Sequence, residues 1–138
     1  MIATKRISLQ SKGHGDILDI TRQVEQKVAA TEITDGTVTV FVSGSTAGVT
    51  TIEYESGVLS DLQQMWESLI PRDIPYNHDA RWGDGNGYAH VRASLLGASL
   101  VVPFQGKRLM LGTWQQIVLI DFDNRPRSRQ ILLQIMGE

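Results

Sequence analysis

The side chains best equipped for chemistry crowd into one stretch, residues 76–90. It holds His78 and His90, Asp79 and Asp84, Asn86, and glycines at 83, 85 and 87. His78, Asp84 and His90 recur at intervals of six. Imidazole and carboxylate suit zinc, manganese or iron, and magnesium less well. That spacing matches no compact zinc motif, so a second reading stays open: the same side chains pin the loop by hydrogen bonds, with Asp84 beside Gly85 making a turn. Glycines alternating with polar residues fit no regular strand or long helix. Such a segment is costly to order, and inside a small domain an ordered one of this length usually serves function. Tyr76, Trp82 and Tyr88 are available to anchor it.

Other candidates lie outside this stretch. Ser43-Gly44-Ser45-Thr46-Ala47-Gly48 is a small-residue turn after a strand. It either leaves backbone N–H groups free for an anion or simply connects two strands. Glu53 is either a solvent-facing carboxylate or a buried acid or base with a raised pKa. Arg125, Arg127 and Arg129 alternate, which on a strand places them on one face. Guanidinium groups there suit phosphate, or form a charged edge that discourages sheet association. Gly112 to Gln116 reads as a pocket wall or as the seat of a core tryptophan, Trp114. His14, between two glycines, reads as an exposed loop residue.

The elements that must position these groups follow from periodicity. Residues 2–9 read as a strand and 11–15 as a polar turn. Asp19 can cap a helix from about Ile20, with Ile20, Val24 and Val28 on one face. Residues 37–43 are β-branched and aromatic, a buried strand, and 49–54 another. Ser56 can cap a second helix whose inner face is Val58, Leu62, Met65, Trp66 and Leu69, stopped by Pro71. Asn86 can cap a short helix from Gly87 to about Leu96, ended by Gly97. His90 then lies near its start, where the helix dipole favours neutral imidazole. The remainder reads as strands at 99–104, 108–111, 115–122 and 130–136, with a hairpin turn at 124–128. About seven strands and three helices make the class α+β. Sequential strands should pair antiparallel, as a sandwich or squat barrel with helices on one side.

At 138 residues, 41% hydrophobic and 20% charged, the chain reads as a single globular domain over residues 1–138. A net charge of -2 gives no reason to expect nucleic acid or an anionic membrane as partner. No apolar run approaches the roughly 20 residues of a membrane span, and residues 1–9 lack a signal peptide's apolar core. With no cysteine there is no disulfide, thiolate site or cysteine nucleophile. A cytoplasmic location is the expectation.

In sequence order, Ser-Thr-Ala-Gly-Val-Thr-Thr-Ile-Glu (45–53), His-Asp (78–79), Asp-Gly-Asn-Gly-Tyr-Ala-His (84–90), Leu-Leu-Gly-Ala-Ser-Leu (95–100), Leu-Gly-Thr-Trp-Gln-Gln-Ile (111–117) and Asp-Asn-Arg-Pro-Arg-Ser-Arg (123–129) cover nearly the whole chain. Together they resemble the YjbQ-like family, the secondary thiamine-phosphate synthases. The resemblance implies a sandwich or barrel-like α+β domain that forms a homotrimer with sites where subunits meet. It implies the joining of a pyrimidine diphosphate to a thiazole phosphate with release of diphosphate. On that reading Glu53, His90 and Gln115 are catalytic, Asn86, Gln115 and Arg127 hold a small phosphorylated metabolite, and His78, Asp84 and His90 hold a divalent zinc, magnesium or manganese ion. The chain departs from the family pattern in two places: many members carry histidine where this chain has Gly44 and Tyr88.

Overall fold

The computed structural model describes every residue, Met1–Glu138. Eight strands and four helices follow in the order β1 (Ile2–Ser11), β2 (Asp16–Asp19), α1 (Thr21–Ala29), β3 (Gly36–Val42), β4 (Ala47–Ile52), α2 (Ser56–Leu69), α3 (Asn77–Trp82), α4 (Gly87–Leu96), β5 (Ser99–Gln105), β6 (Arg108–Leu109), β7 (Gln116–Asp121) and β8 (Arg127–Gly137). The strands form two curled, wholly antiparallel sheets, ordered β1-β8-β3-β5-β6 and β2-β7-β4. The α+β expectation with mainly antiparallel pairing is met.

Three layers result. The smaller sheet is the middle one, and β7 is buried on both faces for that reason. Its Ile117 and Leu119 join Val38, Val40, Leu133 and Ile135 of the large sheet in one core. Its Val118 and Ile120, with Phe122, meet Trp66, Tyr88 and Ala93 of the helices in a second. Strand side chains alternate between faces, so β7 feeds both cores at once. The α1 stripe behaves as its spacing predicts: Ile20, Val24 and Val28 are fully buried in the first core.

Several local expectations need correction. Asp19 does serve the start of α1, accepting from Thr21 N–H and Thr21 Oγ, but the capping position itself is Ile20. Glu55, not Ser56, caps α2, its carboxylate accepting from Gly57 and Val58 N–H. Of the predicted inner face of α2 only Trp66 is buried, while Met65 and Leu69 are exposed. Residues 76–90 are also more regular than their glycines suggest. Asn77–Trp82 forms α3, ended by Gly83 in the left-handed conformation (φ 72°), the usual way for a helix to close. Four residues of β2 escaped the sequence because Asp16–Asp19 is too short to show alternation.

Candidate functional site

One end of the sandwich is plugged by charge. Arg127 and Arg129 share the β8 face that carries Ile131, Leu133 and Ile135. Asp121 ends β7 and Asp123 follows it, both fully buried. Arg129 grips Asp121 with two bonds, Nε to Oδ2 at 2.7 Å and Nη2 to Oδ1 at 2.8 Å. Arg127 Nε donates to Asp123 Oδ2 at 2.8 Å. Thr46 ties the pairs together: its hydroxyl donates to Asp123 Oδ2 and accepts from Arg129 Nη2. Asn86 Nδ2 and Asn124 N–H complete the shell of Asp123. Burial pushes the Asp123 carboxyl up, but these hydrogen bonds outweigh it and hold its pKa below the ordinary value.

Over this floor lies a polar cavity of about 490 Å³, walled by the 44–46 turn, Arg127 and Arg129 on one side and by His78, Asp84, Asn86 and His90 on the other, with exposed Trp82 at its rim. The two imidazoles come from α3 and α4, their ring centroids 4.5 Å apart. Gly87 makes that approach possible, since a Cβ there would stand 2.7 Å from Tyr76 Cβ and 3.2 Å from His78 Cβ. Asp79 fixes the junction: its Oδ1 accepts Gly87 N–H at 2.8 Å and stands 3.3 Å from His78 Nδ1. A carboxylate on one ring nitrogen orients the ring and leaves the other free. Partial burial first, then proximity to His78, lowers the His90 pKa. The neutral imidazole that this favours is the form able to accept a proton or bind a cation.

The sequence-predicted residues separate into two groups. His78, Asp84, Asn86, His90 and Arg127 do line one cavity. Asp84 stands on a turn between two left-handed glycines, with its carbonyl held by Asn124 Nδ2. No three His, Asp or Glu side chains close round a common point within the chain. Asn86 occupies the α4 capping position, but its side chain turns away to Asp123, and its buried Oδ1 has no partner.

Glu53 and Gln115 are not brought to this cavity. Ala47 pairs with Asp121 at the cavity end of the middle sheet, and Ile52 pairs with Gln116 at the other. At about 3.3 Å per residue these ends lie about 16 Å apart. Glu53 is exposed just beyond β4. Gln115 braces its own turn, Oε1 accepting Gly112 N–H and Nε2 donating to Thr51 Oγ1. Their distance in sequence from the histidines gave no clue to their end of the sheet.

Sequence reasoning flagged Arg129 only as one of three alternating arginines, quoted Asp123 only within a matching segment, and missed Asp121. The alternation of three arginines was visible, and Asp121 and Asp123 share that period of two; acids and arginines in step on either side of one short connection were the signal. Tyr88 is not in the cavity. It is buried in the second core, with the Arg92 guanidinium 4.9 Å from its ring centre, so the residue there has no direct part in the site. His14 is exposed, as expected, in a left-handed turn.

The class defined here is a two-sheet α+β sandwich, helix-covered on one side, with a polar cavity where its charged end meets α3 and α4. Residues 5–138 match the model of the family described as UPF0047 protein YjbQ-like, and the chain belongs to that family. A UPF0047 protein of Archaeoglobus fulgidus is 38% identical over 94% of this chain and 98% of its own. UPF0047 protein YugU of Bacillus subtilis is 33% identical over 96% and 98%. The crystal structure of a YbjQ-like protein of unknown function from Sulfolobus solfataricus P2 superposes with a TM-score of 0.94 at 32% identity, covering 100% of this chain and 99% of that one.

These relatives correct the functional expectation. They are known as UPF0047 proteins or as a protein of unknown function, and none is described by a thiamine-phosphate synthase activity. The synthase assignment is therefore withdrawn. Within one chain, two of its three catalytic residues, Glu53 and Gln115, lie at the opposite end of the middle sheet from the third, His90. No helix is long and apolar enough to cross a membrane.

Proposed function

We propose that the cavity binds a small phosphorylated metabolite together with a divalent cation. The observation that carries this is the charge pattern at its wall. Arg127 and Arg129 present guanidinium groups to the cavity, but each is already matched by a buried carboxylate. An anionic phosphate entering there meets hydrogen-bond donors and little net positive charge. A divalent cation bound with it supplies the missing charge.

His78 and His90 fit that cation as two imidazole ligands, one oriented by Asp79 and the other favoured in its neutral form. With no third protein group converging within the chain, its remaining positions go to oxygens of the ligand and water. Zinc and manganese suit this donor set better than magnesium. The cation would neutralise phosphate charge. Arg127 offers its terminal guanidinium nitrogens, and Asp84 stands ready to orient a polar group of the metabolite.

We also read the working form as a cytoplasmic homotrimer. Support comes from a cleft of about 280 Å³ between the free edge of β4 and the part of β5 that β6 leaves uncovered, where Val101, Pro103, Met110 and Leu111 stand among polar groups. Val101 is 60% exposed and Met110 59%, and nearby Trp114 is 72% exposed, more apolar surface than a monomer usually leaves in water. Gln115 lines that same cleft, so association would enclose it.

Thermal melts with a panel of phosphorylated metabolites, with and without Mn²⁺, test the binding claim. A ligand that raises the melting temperature far more with Mn²⁺ than without supports it. Shifts that are the same in Arg127→Ala and in the His78→Ala, His90→Ala double variant would place the ligand elsewhere.

A further inference from the structure

We infer that the Gly44–Thr46 turn and Arg129 Nη1 form an oxyanion subsite, the seat of the phosphate in the binding reading above. Two independent observations point there. First, the backbone N–H groups of Gly44, Ser45 and Thr46 find no acceptor within the protein, whereas Ser43 N–H is bonded to the Gln130 carbonyl. Three successive unpaired N–H groups on a cavity wall are the makings of an anion nest. Second, Arg129 is 7% exposed, and its Nε and Nη2 are spent on Asp121 and Thr46. Its Nη1 has no partner, yet the residue lines the same cavity beside Gly44.

The two sources of donors are locked to one another. A Cβ at position 44 would stand 2.5 Å from Nη1. The end of an arginine could ordinarily swing aside, but this one is held by a two-point bond to a fully buried carboxylate. Glycine at 44 is therefore what allows the guanidinium edge to lie against the turn that carries the unpaired N–H groups. A tetrahedral oxyanion accepts from such a divergent donor set through several oxygens, whereas a planar carboxylate uses two. The subsite thus selects a phosphate group over a carboxylate. Arg127, half exposed and farther toward the opening, becomes an auxiliary donor.

The test is a titration of uniformly ¹⁵N-labelled protein with inorganic phosphate, in Mg²⁺ and without it, followed by amide spectra, with acetate in parallel. The expected result is that the Gly44, Ser45 and Thr46 amides move downfield and saturate with phosphate, and respond weakly to acetate. Gly44→Ala should weaken phosphate binding about tenfold or more, while Arg127→Ala weakens it less. Phosphate shifts centred elsewhere, an equal response to acetate, or wild-type affinity in a folded Gly44→Ala variant would each overturn the subsite. The wild-type spectra decide the matter even if the variant folds poorly. Co²⁺ uptake at His78 and His90, measured on the same samples, shows whether the cation half of the binding reading stands when the subsite fails.

Discussion

A side chain on residue 44 and the guanidinium of Arg129 cannot share the space they border, because a Cβ there would lie 2.5 Å from Nη1. Gly44 leaves that space to the arginine. The cavity wall beside it is built from guanidinium donors already matched in charge by buried carboxylates.

Arg129 and Arg127 should differ sharply in their effect on stability. Arg129→Ala strands the Asp121 carboxylate, fully buried, with only Asp123 N–H as a donor. Breaking such a pair costs about 3–5 kcal/mol. Arg127 is partly exposed and is one of four donors to Asp123. Screening by solvent leaves Arg127→Ala a loss of about 1 kcal/mol or less. Urea unfolding of the two variants measures this, and equal losses would contradict the assigned network.

Stability should fall as pH drops through the histidine range. Burial and His78 hold the folded His90 pKa below the ordinary imidazole value of 6.5, so the unfolded chain binds the proton more readily. The neutral ring's contribution is full above that value and is lost as pH falls through it toward the folded pKa. Melting temperatures between about pH 8 and pH 5 should decline in the wild type and decline less in His90→Gln. Asp123, also lowered, acts in the same direction at more acid pH: its contribution is present above the ordinary carboxylate value and lost as pH falls through its folded pKa. Parallel pH profiles for wild type and His90→Gln would contradict the placement of His90.

The part of β5 that the two-residue β6 leaves uncovered should be an assembly surface. Light scattering on the purified protein should give three times the 15.3 kDa chain mass. Val101→Glu with Met110→Glu should shift that mass downward while leaving the fold intact. A 15.3 kDa species at all concentrations would rule the assembly out.

Much of the fold was legible where one physical signal dominated. The four-residue spacing of Ile20, Val24 and Val28 marks a buried stripe, and a β-branched run marks β3. The site was legible only as composition. His78 and His90 could be flagged by type, but their meeting depends on Gly87 admitting Tyr76 and on Gly83 ending α3, which are matters of close approach that spacing does not encode. Glu53 and Gln115 were grouped with the histidines through the family resemblance, and nothing local tells which end of a strand faces which neighbour. Asp121 carried no sequence signal of its own, and only the register of β7 against β4 places it beneath the cavity.

The most direct test of the cation claim is a Co²⁺ titration of protein prepared with chelator and then freed of it, followed by visible absorption. The expected result is saturation at about one ion per chain with ligand-field bands of nitrogen-coordinated cobalt, abolished in both His78→Ala and His90→Ala and altered when inorganic phosphate is added. Absence of uptake by the wild type, or uptake that survives both substitutions unchanged, would contradict the account.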